Sequence, residues 1–159
     1  MELTAAQNDA LTELINIGYG RAAGTLSELT GYRVTLEVPR IRMYKIEQVA
    51  PLLSRLIEGD VVAVNQFFSG AIGGNALLLL DEPAALALSR LMSDDDSLLT
   101  SDPDGREIIT EVGNILLNVC LGAFGNLLQV QVRFAVPKLQ VSAVGKVLES
   151  ITVESEELK

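Results

Sequence analysis

Shifted by 98 residues against itself, this 159-residue chain realigns over its two long apolar stretches without a gap. Thr12, Glu13, Asn16, Ile17, Gly24, Leu29, Val34, Val38 and Pro39 fall on Thr110, Glu111, Asn114, Ile115, Gly122, Leu127, Val132, Val136 and Pro137, nine identities over 28 positions. Helical periodicity alone accounts for the apolar matches. It does not account for Glu, Asn and Pro recurring in the same register, so we read an internal duplication. The chain should form a single domain over 1–159 with one half at 1–95 and another at 105–159. The acidic, turn-rich stretch SDDDSLLTSDPDG, 93–105, reads as their connector.

Local patterns give the elements. Leu11, Leu14, Ile15, Gly18, Ala22, Leu26 and Leu29 recur at helical spacing. They predict a helix over 4–30, opened by a Thr4/Gln7 capping box and closed by Gly31. A strand over Tyr32 to Val38, stopped by Pro39, and a short helix over Glu47 to Leu56 follow. VVAVNQFFS and NALLLLD flank the turn Gly70–Gly74 and predict a hairpin. Asp81 is placed to cap a helix over 82–92, with Pro83 tolerated in its first turn. The second half predicts a long helix over about 105–127, capped by Asp104 and Glu107, then a strand over Val130 to Val136. Residues 138–159 read as a short helix or loop with an acidic tail. By the repeat offset Lys159 matches Val61, where the first hairpin begins. The second half is therefore expected to lack a hairpin and helix that the first possesses, through truncation or because another molecule completes the sheet.

Composition removes many chemistries. There is no His and one Cys, which excludes a Ser-His-Asp triad, a Cys-His pair, a His-based zinc site and a Cys₄ cluster. No glycine-rich loop ends in Gly-Lys-Ser/Thr. The net charge of −9 makes nucleic acid a poor partner. Apolar residues make up 48% of the chain, but only three Tyr and four Phe are aromatic, so the core should be aliphatic. No run approaches roughly 18 uninterrupted apolar residues and the N-terminus has no basic or apolar leader, so no membrane insertion is expected. We expect a cytoplasmic protein with Cys120 in the core.

If the chain is an enzyme, carboxylates, amides and groups supplied by a partner must carry its chemistry. Glu13 and Asn16 lie three apart, on one helical face one turn removed. Asp9, Glu13, Asn16 and Gly20 make one polar stripe; Glu107, Glu111, Asn114 and Asn118 make its counterpart. An Asn amide offers a donor and an acceptor in one plane on a rigid mount. It can hold a water at a fixed angle to an electrophile, while a Glu one turn away can pair with a cation on a docking partner. The plain alternatives are solvated helix charges for Glu13 and Glu111, and surface or packing roles for the two Asn. Pro39 and Pro137 read as strand terminators. Glu107 falls at N3 after Asp104, where capping alone favours a carboxylate. Asn118, opposite Gly20 in the repeat, reads as a surface residue.

The pattern Asp/Ser-x3-Glu-x2-Asn-x22-Pro marks the CheC/CheX/FliY family of phosphatases, which this sequence resembles. It stands here as Asp9-x3-Glu13-x2-Asn16-x22-Pro39, complete. It recurs as Glu107-x3-Glu111-x2-Asn114-x22-Pro137, departing only at its first position. Two copies in one chain are CheC-like rather than CheX-like. The resemblance implies an α/β fold with a pseudo-two-fold internal repeat: one β-sheet with two long side-by-side helices on its face, their polar stripes outward. It also implies hydrolysis of the aspartyl phosphate of phosphorylated CheY. Asn16 or Asn114 would orient the attacking water, and Glu13 or Glu111 would pair with the partner's active-site lysine. Asp9, Pro39, Glu107 and Pro137 complete the motif.

No cofactor of its own is implied, since CheY supplies the magnesium. The logic parallels a GTPase glutamine that orients hydrolytic water. The alternative is a non-enzymatic module that binds the deamidase CheD or the chemotaxis and flagellar switch machinery. A monomer, or self-association through an incomplete sheet, are the quaternary options. Of the two sites the first, with its full pattern, is expected to be at least as competent.

Overall fold

In the computed structural model, residues 3–35, 37, 40–93 and 101–157 are described, the side chains after Ile151 excepted. The first long helix, α1, spans Ala5–Thr30. Thr4 caps it: Oγ1 accepts from the Gln7 N–H at 3.3 Å and the Thr4 N–H donates to Gln7 Oε1 at 3.0 Å. Gly31 ends it in the left-handed region, φ 70°. The second long helix, α4, spans Pro103–Leu128 and ends on Gln129, also left-handed at φ 55°. Both helices are 26 residues long, and their first, last and C-cap residues are each 98 apart. The sequence repeat is thus reproduced in the backbone.

Between them lie α2 (Ile46–Leu56), β1 (Asp60–Gly70), β2 (Gly74–Asp81) and α3 (Glu82–Leu91). Asp81 caps α3, its Oδ1 accepting from the Ala84 N–H at 2.8 Å. After α4 come β3 (Val132–Phe134), β4 (Lys138–Ala143) and α5 (Val144–Glu157).

The sheet is antiparallel and centred on β1, with β2 on one side and both β3 and β4 on the other. Side chains alternate across β1. Val61 and Ala63 pack against Val144, Val147 and Ile151 of α5 and against Leu53 and Ile57 at the end of α2. Val62 and Val64 face the opposite way, onto Ile109 and Leu117 of α4 and Ala85 of α3. The sheet is therefore sandwiched between two helical layers. Each fully buried Val or Ile here contributes about 1.5–3 kcal/mol of burial. The core is aliphatic, as composition required.

Glycines set how closely α4 and α1 approach their neighbours. A Cβ on Gly113 would stand 2.7 Å from Val64, so α4 rests on β1 at a point where only hydrogen fits. A Cβ on Gly18 would stand 3.3 Å from the Cys120 carbonyl oxygen, and buried Ala22 and Ala123 continue that contact between α1 and α4. The two long helices do lie side by side, but only α4 packs on all four strands; α1 packs along α4. An opening of about 400 Å³ separates α1 from β2, lined by Tyr19, Ala22, Leu26, Leu77, Leu117 and Cys120. Among the described residues, α4 is the one helix long and apolar enough to cross a membrane; in this fold its apolar surface serves the sheet and α1.

Three local expectations change. Residues 33–35 and 37 form no strand, while Val38 and Pro39 lie outside the described residues. Residues 40–45 are likewise unpaired, although their counterparts 138–143 form β4. Those counterparts have β1 to pair with, and no described strand stands beside 40–45. The stretch read as a short helix or loop is thus a strand followed by a 14-residue helix. Finally, the N-cap of α4 is Asp102, two residues before Asp104, and Glu107 is the fifth residue of the helix rather than its third. The capping reading of Glu107 fails. Residues 94–100 of the expected connector lie outside the described residues.

Candidate functional site

The corrected start of α4 makes the two helices equivalent where the motif begins. Asp9 is the fifth residue of α1 and Glu107 the fifth of α4, both exposed and past the reach of a cap. One turn on, Glu13 and Glu111 are exposed as well. Glu107 and Glu111 line a shallow depression of about 370 Å³ together with Asp104, Ile108, Val112 and Met92. A carboxylate pair over an apolar floor suits an aliphatic cation stem whose head group it meets.

Asn16 and Asn114 are half-buried rather than part of an outward stripe. Their surroundings differ. Asn114 Oδ1 accepts two hydrogen bonds, one from Gln66 Nε2 at 3.0 Å and one from Asn118 Nδ2 at 2.9 Å. With both lone pairs engaged, Nδ2 is the polar atom of Asn114 without a partner among the described residues. Asn16 Oδ1 is buried and has no partner among them. Its register counterpart of Asn118 is Gly20, which has no side chain to donate.

Gln66 and Asn118 are the residues that sequence reasoning missed or misread. Asn118 is half-buried and bound to Asn114, not a surface residue. Its spacing of four from Asn114 on one helical face was the available signal. Gln66 is 1% exposed in the middle of a Val-rich strand, where a polar residue interrupts the apolar run. Its face follows from parity: with Val62 and Val64 it points at α4.

Pro137, half-buried, lies where the β3–β4 edge is irregular. β1 pairs Phe68 with Phe134 and Asn65 with Lys138, so Gln66 and Phe67 oppose three residues, Ala135, Val136 and Pro137. This is a β-bulge of one extra residue, a place where a strand tolerates proline. The Ala135 N–H still donates to the Phe67 carbonyl at 2.9 Å. The Ala135 carbonyl accepts from Gln66 Nε2 at 3.1 Å. Pro39, the corresponding motif residue of the first half, lies outside the described residues.

Cys120 sits half-buried in the opening between α1 and β2, and desolvation pushes its thiol pKa up, so it is not an activated nucleophile. Among the described residues no cluster of three or more His, Cys, Asp or Glu could hold a metal ion.

No protein-family model matches the sequence. The structure is similar to the crystal structure of Thermotoga maritima FliY, with a TM-score of 0.74 and 24% identity over 91% of this chain and 72% of that one. It is also similar to the chemotaxis protein CheX from Desulfovibrio desulfuricans, with a TM-score of 0.59 and 15% identity over 82% of this chain and 79% of that one. The fold is thus that of the CheC/CheX/FliY family, as the duplicated motif implied.

Proposed function

We propose that this chain is a cytoplasmic chemotaxis protein that hydrolyses the aspartyl phosphate of a CheY-type response regulator. The observation that carries the reading is the recurrence of Glu and Asn, three apart, at one register of two 26-residue helices whose bounds are 98 residues apart. The FliY and CheX folds support it. Glu111, beside Glu107 over the apolar depression, pairs with the regulator's active-site lysine and seats α4 against it. Glu13 does the same from α1.

The Asn amide then meets the attacking water. An N–H donated to one lone pair of that water leaves its other lone pair free for in-line attack on phosphorus. The P–O bond to the regulator's aspartate breaks, its electron pair returns to the carboxylate, and inorganic phosphate leaves. Nothing becomes covalently attached to this chain. The magnesium that neutralises the phosphoryl oxygens is the regulator's own.

The test is decay of phosphorylated CheY followed with wild type, Asn16→Ala, Asn114→Ala and the double variant. Loss of one positioned polar group costs on the order of 10²–10³-fold, so the double variant should fall to the regulator's own rate. A double variant as fast as wild type would sink the reading. In that event retention of CheD in a pull-down, with no effect on dephosphorylation, would assign the chain to a binding role.

A further inference from the structure

The distant proline of the motif and its asparagine are separated by 22 residues, yet the structure joins them through one side chain outside the motif. Gln66 Nε2 donates to both the Ala135 carbonyl, at 3.1 Å, and Asn114 Oδ1, at 3.0 Å. A backbone carbonyl can only accept, so Ala135 fixes which end of the Gln66 amide faces the bulge. The second hydrogen on that nitrogen then requires an acceptor, which fixes Asn114 with its oxygen inward. Asn118 adds its Nδ2 to the same oxygen at 2.9 Å. Ala135 lies in the bulge that contains Pro137, where the pairing with β1 is interrupted, and its carbonyl accepts from the Gln66 side chain there.

We infer that Gln66 is a positioning residue. Within the proposed phosphatase reading, it relays the backbone of the Pro137 bulge to Asn114 and presets that amide as an outward N–H donor.

Burial supports a role other than packing. Gln66 is 1% exposed, and its Oε1 is buried with no partner among the described residues. Leaving such an oxygen buried and unpaired is destabilising, a penalty that Val or Leu at this position would avoid. The relay belongs to the second site. The offset that carries Asn114 onto Asn16 carries Asn118 onto Gly20, and Asn16 Oδ1 has no donor among the described residues.

Gln66→Met keeps the length and removes both donors, so it tests the relay without emptying the core. In an Asn16→Ala background it should lower kcat for phosphorylated CheY roughly 10- to 100-fold with KM within about twofold, since orientation rather than docking is lost. Combined with Asn114→Ala in a chain that keeps Asn16, it should add no further loss to the activity that remains. A multiplicative loss in that combination would mean a merely structural effect and would overturn the relay.

A second readout needs no activity. The {¹H}–¹⁵N NOE of the Asn114 side-chain amide, assigned by its absence in Asn114→Ala, should be that of an ordered group and should fall in Gln66→Met while the Asn16 amide is unchanged. An Asn114 amide equally ordered in both proteins overturns the relay. Loss of order on Gln66→Met in a protein that hydrolyses nothing would uphold the relay and remove the phosphatase reading.

Discussion

Gln66 of β1 and Asn114 of α4, 48 residues apart, share a 3.0 Å hydrogen bond in which the buried strand residue donates to the helix residue's carbonyl oxygen. That bond makes the two motif copies unequal in a way their sequences do not. The first copy is complete in sequence, whereas the second has the amide whose oxygen is hydrogen-bonded.

The single Asn variants should therefore differ. Asn114→Ala should remove more of the dephosphorylation rate than Asn16→Ala, with at least a threefold difference between them as an order-of-magnitude expectation from the value of pre-orientation. Initial rates with phosphorylated CheY at saturating concentration give the comparison. Equal losses would show that the amide network around Asn114 has no bearing on turnover.

Glu111 should act in docking. In an Asn16→Ala background, Glu111→Lys places a like charge opposite the proposed lysine and should raise KM roughly tenfold or more, with a smaller change in kcat. The wild-type KM should rise with ionic strength, and that dependence should flatten in Glu111→Gln. A KM unchanged by charge reversal would exclude the ion pair.

Gly113 should be intolerant of any side chain. The Cβ of Gly113→Ala would meet three Val64 side-chain carbons at 2.7–2.8 Å, in a strand that cannot yield without disturbing its neighbours on both sides. The expected cost is about 1–3 kcal/mol, read as a lower urea midpoint at unchanged slope. Gly24 and Gly122 have open space around a built Cβ. Replacing either with Ala in its helix should stabilise by up to about 1 kcal/mol, which makes them internal controls.

Cys120 should be slow to alkylate in the native protein. Burial favours its neutral thiol, so the folded-state pKa lies above the unfolded one. The native state then binds more protons than the unfolded state between those two values. Its contribution to stability is complete below the unfolded pKa and is lost as pH rises through the folded one. Iodoacetamide labelling at pH 8 should accelerate on addition of urea, and Cys120→Ala should shrink the alkaline loss of stability. Labelling at the rate of a free thiol in the native state would contradict the burial.

Much of this protein was legible in one dimension. The 98-residue repeat, both long helices, the Thr4 and Asp81 caps and the β1–β2 hairpin all rest on neighbours in sequence, where spacing and turn chemistry act directly. The motif residues Glu13, Asn16, Glu111 and Asn114 were legible for the same reason. Local signals were weaker where pairing across the sheet decides. Residues 40–45 and 138–143 occupy the same register of the repeat, but only the latter become a strand, because β1 supplies them with hydrogen-bond partners. The bulge at Ala135–Pro137 is likewise a mismatch between two strands and exists in neither alone.

The sequence by itself narrowed the candidates: with no His and a lone Cys, the duplicated Glu and Asn on two helices stood out as the residues to examine. The tertiary structure alone decided which amide is held, and by what. Gln66 is remote in sequence from both Asn114 and Ala135, and only the packing of α4 and the bulged edge against β1 brings the three within hydrogen-bond distance. An amide's orientation is set by the donors and acceptors that surround it, and those are assembled by the fold.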